Sequence, residues 1–136
     1  MFRYNEHKNI NSLDPIFAKD IANIQAVNQL FNGLVEMDNQ LNVVPSIAKS
    51  WEISTDGLTY TFNLQTGVKF HDGTDMNADD VKFSLDRARA EDSTNAQTGL
   101  FKGIESVTVI DPQTVAVELS APNGKFLFNM AWGDAV

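Results

Sequence analysis

TYTFNLQTGVKFHDGTDMNADDVKFSLDR, residues 59–87, decides how the rest of the chain is read. Tyr60, Phe62 and Leu64 alternate with Thr59, Thr61 and Asn63. That is the two-residue period of a strand with one buried face. After Gly67 a second, shorter strand is expected at Val68 to Phe70, leading into His71-Asp72-Gly73-Thr74, where the Asp-Gly pair marks a tight turn because glycine accepts positive φ. Asn77 then precedes Ala78-Asp79-Asp80. Its side-chain oxygen suits an N-cap, and the two aspartates suit the positive end of a helix dipole. The spacing predicts a helix starting at Ala78 with Val81, Ser84, Leu85 and Ala88 on one face and Phe83 nearly opposite, so that it touches protein on two sides.

Outward from this stretch, Trp51 and Ile53 alternate with Glu52 and Ser54, and Ser54-Thr55-Asp56-Gly57 turns the chain back, giving an antiparallel hairpin with Trp51 beside Phe62. A second hairpin is expected around Asp111-Pro112-Gln113-Thr114, flanked by Val107, Val109 and by Val115, Val117, Leu119. Upstream, residues 2–5 read as a short strand, and Asp14-Pro15 closes a polar loop. Ile21, Ile24, Val27 and Phe31 predict a helix over 20–31, stopped by Asn32-Gly33. A turn at 38–40 separates two short extended pieces, and residues 46–49 read as one helical turn. Residues 91–98, EDSTNAQT, read as a polar loop, and Phe126, Leu127, Met130 and Ala131 open a last helix after Ala121-Pro122-Asn123-Gly124. The fold class expected is α/β in the mixed α+β sense: a small mixed sheet with hairpins and two to three helices.

The chain has 136 residues, 43% of them hydrophobic, and a formal net charge of −8. By length alone one core is expected. So acidic a chain is a poor match for phosphate-rich partners, which excludes nucleic acid, and it disfavours an anionic membrane surface. No apolar run reaches the ~18 residues of a membrane span. With no cysteine, disulfide and thiolate chemistry are excluded, and so is a lipid-bearing cysteine within this sequence.

Few residues suggest reaction chemistry. His7 and His71 have no partner at a metal-ligand spacing. Asp72, Asp75, Asp79 and Asp80 are the one dense carboxylate group, but Gly73 directly follows Asp72, which is not the order of a calcium-binding loop. Turn formation and dipole compensation explain them. No nucleophile elbow or glycine-rich phosphate loop can be written. The residues thus indicate no catalytic group, no metal and no cofactor. They leave open a small hydrolase using the acidic turn region and an interaction domain without a small ligand.

The segments LTYTFNL (58–64), GVKFHDGT (67–74) and NADDVKFSLDR (77–87) closely resemble the signature region of family 5 solute-binding proteins, the extracytoplasmic receptors of ABC importers for peptides, nickel chelates and some sugars. SLDP (12–15), LFNGLVEMD (30–38), VPSIAKSWEIS (44–54) and IESVTVIDPQTVAVELSAP (104–122) extend the resemblance over nearly the whole chain. It implies part of a type II periplasmic-binding-protein-like fold: residues 1–42 as the incomplete start of the ligand-binding lobe, 43–132 as a small mixed subdomain and 133–136 as a cut-off end. It implies a non-enzymatic protein that binds peptides or a similar small solute for transmembrane uptake and works with a membrane permease. It also implies a periplasmic or extracellular location, lipid-anchored in some full-length members. Pairing without gaps puts Ala18, Lys19, Asp20 and Ile21 where family members touch ligand, with Gln97 and Thr98 in a second segment that reaches the cleft.

Overall fold

The computed structural model describes residues 9–18, 20–90 and 98–132, with the side chains of Thr98 and Trp132 excepted. The strand expected over 2–5 lies outside the described residues, as does nearly all of the polar loop expected over 91–98. A 3-10 turn, Pro15–Phe17, precedes helix α1 (Ile21–Val27) and an antiparallel ribbon of β1 (Val35–Met37) and β2 (Val43–Pro45). The hairpin of β3 (Ala48–Ile53) and β4 (Thr59–Leu64) follows, then α2 (Ala78–Arg89), the short α3 (Thr98–Phe101), the hairpin of β5 (Ile104–Asp111) and β6 (Thr114–Leu119), and α4 (Phe126–Trp132). The fold is mixed α and β, as the sequence patterns require.

The two hairpins merge into one antiparallel sheet of order β3-β4-β6-β5. The register puts Trp51 opposite Phe62, as expected, and Phe62 opposite Val115. Tyr60, Phe62 and Leu64 of β4 and Val115, Val117 and Leu119 of β6 are all buried on one face. Burying a side chain of this size contributes roughly 1.5–3 kcal/mol. In β5 the buried residues Ile104 and Val107 are three apart, a spacing that a regular strand would put on opposite faces; a register shift between Ile104 and Ser106 turns both inward.

Helix α2 covers β5 and β6 with Val81, Leu85 and Ala88, each fully buried. Asn77 caps it, accepting from the Asp79 N–H at 2.7 Å, while Asp80 accepts from the Asn77 N–H at 2.9 Å. Such a reciprocal box satisfies two helix-end donors at once. The Ala78 N–H donates to the Pro112 carbonyl at 2.9 Å, which ties the start of the helix to the β5–β6 turn. On the β5 side, Lys82 donates to the Val107 carbonyl and Arg89 to the Glu105 carbonyl, and both bond Asp86. Burial works to raise the Asp86 carboxyl, but these bonds and charges outweigh it and hold it below the usual carboxylate range.

Four local expectations change. Residues 46–49 are not a helical turn: the Ile47 and Ala48 N–H groups donate to the Gly33 and Leu34 carbonyls, and Ala48 opens β3 opposite Leu64. Ladder bonds on both sides outweigh a one-turn helix, which gains too few bonds to offset its nucleation cost. Helix α1 ends at Val27 rather than 31, closing through bonds from Gln29 to Ala26 and from Leu30 and Phe31 to Val27. The piece over 68–70 makes a single bridge, Lys69 to Asp75, around Gly73 at φ 89. Phe83 also departs from its expected packing, with 71% of its surface exposed.

Candidate functional site

The segment in front of α1 is set by two capping aspartates. Asp14 accepts from the Ile16 N–H at 3.3 Å and starts the 3-10 turn, and Asp20 accepts from the Asn23 N–H at 3.0 Å and starts α1. After the 3-10 turn the backbone is extended at Ala18, with φ −68, ψ 103, and again at Asp20, with φ −125, ψ 164. Pro15, its φ fixed by the ring, suits the first position of the turn.

The expected site residues separate on this frame. Ala18 is buried, at 3% exposure, so it can present only its backbone. The Asp20 carboxylate is used as a cap. Ile21 projects from the first turn of α1 with 74% of its surface exposed, the most of any large apolar residue among those described. Lys19 and Gln97 lie outside the described residues, and Thr98 opens α3 with its side chain undescribed. One residue of α1 faces inward with a polar group: Asn23, 3% exposed, accepts from the Asn11 N–H at 3.1 Å and holds the preceding loop against the helix.

Sequence reasoning missed the residues that hold this segment in place. Ile16 belongs to the main core, while Asp14 receives both terminal nitrogens of Arg87, one at 3.1 Å. The same guanidinium lies 5.9 Å from the centroid of the Phe17 ring. Hydrogen bonding to Asp14 raises the Arg87 pKa above its ordinary value. Asp14 and Arg87 are 73 residues apart, and no local pattern joins them.

Beside this pair is an open groove of about 320 Å³ between Asp14–Ile16, Phe31, the 68–71 turn and the Phe83–Arg87 edge of α2. Phe31 meets His71 edge-on there, with ring centroids 6.4 Å apart. A second groove, of about 300 Å³, runs between α1, β1 and Ala131. Neither is lined by Ala18, Asp20 or Ile21. The acidic turn residues are occupied within the fold: Asp72 accepts from both the hydroxyl and N–H of Thr74, Asp75 pairs with Lys69, and Asp80 completes the helix cap. Among the described residues no cluster of three or more His, Asp or Glu side chains is arranged to hold a metal, and no helix is long and apolar enough to cross a membrane.

Residues 42–132 match the model of the middle region of bacterial extracellular solute-binding proteins, family 5. The glutathione-binding protein GsiB of Pectobacterium atrosepticum is 40% identical over 125 residues, which are 92% of this chain and 24% of that protein. The chain thus spans about a quarter of the length of the curated relatives it matches. Among solved structures, NikZ from Campylobacter jejuni in complex with Ni(L-His) superposes with a TM-score of 0.84 at 33% identity, covering 93% of this chain and 25% of that one. The oligopeptide-binding protein AppA from Bacillus subtilis, in complex with a nonapeptide, gives a TM-score of 0.84 at 29% identity over 90% of this chain and 24% of its own. The sheet, the capped helix and these likenesses agree, and the chain belongs to the family 5 bacterial extracellular solute-binding proteins.

Proposed function

We propose that this chain supplies one wall of the solute cleft of an ABC-importer receptor, which binds peptides or a similar small solute outside the cytoplasm. Residues 1–42 begin the ligand-binding lobe, and 43–132 form a small mixed subdomain beside it. The observation that carries the reading is the extended backbone at Ala18 and Asp20 next to the exposed Ile21. Backbone of this shape can pair with an extended peptide as an added strand, while an apolar side chain beside it fits a peptide side chain. Lys19, Gln97 and Thr98 complete the proposed contacts. The relatives fit this choice of solute, since one is named for glutathione and another holds a nonapeptide.

Binding of this kind needs a cleft and placed polar groups rather than a reactive residue, so the proposed role is not enzymatic. Solute touching a second lobe would favour a closed form through its differential contacts, and the closed form would dock on a membrane permease. The proposed location is periplasmic or extracellular, with a lipid anchor in some longer forms.

Calorimetric titration with glutathione, a nonapeptide and Ni(L-His) tests the reading, using both this chain and the complete product of its gene. The complete product is expected to bind at least one of them at micromolar or tighter dissociation constant, and this chain alone only weakly or not at all. Micromolar binding by the chain alone would refute the two-lobe reading. Unchanged affinity of the complete product after Ile21→Asp would refute the placement of the wall.

A further inference from the structure

The segment that carries the proposed ligand wall takes its position from a helix on the other side of the chain's sequence. Ile16, 6% exposed, fixes how deeply the 3-10 turn sits in the core, with Phe17 packed against the same core and Ala18 buried after it. Polar and cation–π contacts on either side of Ile16 add direction to this apolar seating. Asp14, two positions before it, takes a forked pair of hydrogen bonds from Arg87, and Phe17, one position after, lies under the same guanidinium. A planar, five-donor group matched to a carboxylate restricts direction as well as distance, which an ammonium does not.

Arg87 is suited to this task because α2 cannot easily move. The helix is capped at Asn77, packed through Val81, Leu85 and Ala88, and bonded to β5 by Lys82 and Arg89. Those two cations serve the sheet side; Arg87 reaches the N-terminal segment instead. Asp14 meanwhile uses one oxygen twice, since Oδ1 accepts from Arg87 and also from the Ile16 N–H that starts the turn. The Ala18 N–H then closes the turn on the Pro15 carbonyl at 3.3 Å, and at Ala18 the backbone is already extended.

We infer that Arg87 is a positioning residue for the ligand wall: through Asp14 and Phe17 it sets the orientation in which Ala18, Asp20 and Ile21 are presented to solute. This rests on the reading of that backbone as the wall. The clamp itself can be tested without solute, by residue-resolved hydrogen exchange on this chain. In Arg87→Ala, the Phe17 and Ala18 amides, which bond the Asp14 and Pro15 carbonyls, are expected to exchange at least tenfold faster, while Phe62 and Val117 in the sheet are unchanged. Arg87→Lys, with its charge kept and its fork lost, should recover only part of the protection. Unchanged exchange at Phe17 and Ala18, or equal loss across the sheet, would overturn the inference.

Solute binding by the complete gene product adds the readout that a purely structural role would not move. Arg87→Ala is expected to weaken the solute bound by the wild type about tenfold at unchanged melting temperature, and unchanged affinity would overturn the positioning role. If the wild type takes up none of glutathione, nonapeptide or Ni(L-His), the ligand-wall reading is what fails, and the positioning role fails with it. The exchange experiment still decides whether the Arg87–Asp14 clamp holds the turn.

Discussion

Replacing Asn77 by alanine probes the device on which the rest of α2 depends. The substitution removes the acceptor that takes the Asp79 N–H at 2.7 Å, and leaves intact the return bond from the Asn77 N–H to Asp80 at 2.9 Å. Loss of an N-cap costs ~0.5–2 kcal/mol. The Asp79 bond is exposed, so water recovers part of the loss and the lower half of that range, about 0.5–1 kcal/mol, is expected. Unfolding entropy of about 2.1 cal/mol/K per residue gives about 0.3 kcal/mol/K for a chain of this length, so the melting temperature should fall by about 2–4 °C. Calorimetric or circular-dichroism melting reads this directly. Asn77→Asp keeps the acceptor and should melt within about 1 °C of the wild type. If alanine leaves the melting temperature unchanged, or if aspartate lowers it as far as alanine does, the hydrogen-bonded cap is not what holds the start of the helix.

Other substitutions test other parts of the frame. Leu41, at φ 65 and 69% exposed, sits in a left-handed conformation that glycine adopts without strain, so Leu41→Gly should raise the urea midpoint, by up to ~1 kcal/mol in stability. A fall would show that the leucine side chain holds the β1–β2 turn. At Gly33 an added Cβ would lie 2.9 Å from the Val35 carbonyl oxygen, backbone that cannot swing away, so Gly33→Ala should cost about 1–3 kcal/mol by urea unfolding. Wild-type stability in that variant would contradict the close approach. Three turn aspartates have lowered pKa values: Asp38 through the Asn42 N–H and then its side chain, Asp56 through the Ser54 hydroxyl and then the Leu58 N–H, Asp72 through the Thr74 hydroxyl and then its N–H. A depressed carboxylate contributes stability that is present above its unfolded pKa, about 3.9, and is lost as pH falls through the lower folded value. Urea midpoints should therefore be flat from neutral pH to about 5 and decline below about 4, less steeply in Asp38→Asn than in the wild type. Equal slopes in the two proteins would refute the assignment for Asp38.

The sequence by itself determined the pieces whose cause is local. Alternation at Tyr60, Phe62 and Leu64 and at Val115, Val117 and Leu119 requires a face to bury, and the structure buries all six. The cap at Asn77, the turn at Gly73 and the hairpin through Pro112 depend on residues within a few positions of one another, so their chemistry can be read from the chain. Family membership was legible for a related reason: those local devices recur in a fixed order. Only the tertiary structure decided which elements meet. Residues 46–49 carry a weak helical signal that was outweighed by carbonyls at Gly33 and Leu34 on one side and by β4 on the other. Phe83 was expected against protein because it is large and apolar, yet position on a helix says nothing about whether a partner stands opposite. In the segment proposed as the ligand wall, sequence pairing could point to Ala18, Asp20 and Ile21 but not divide them into buried residue, cap and exposed side chain, because that division follows from two aspartate caps and the rotation they impose. Least legible of all was the clamp of Arg87 on Asp14 and Phe17. Electrostatic and cation–π attraction act across whatever distance folding closes, and partners 73 positions apart leave no trace of it in the intervening chain.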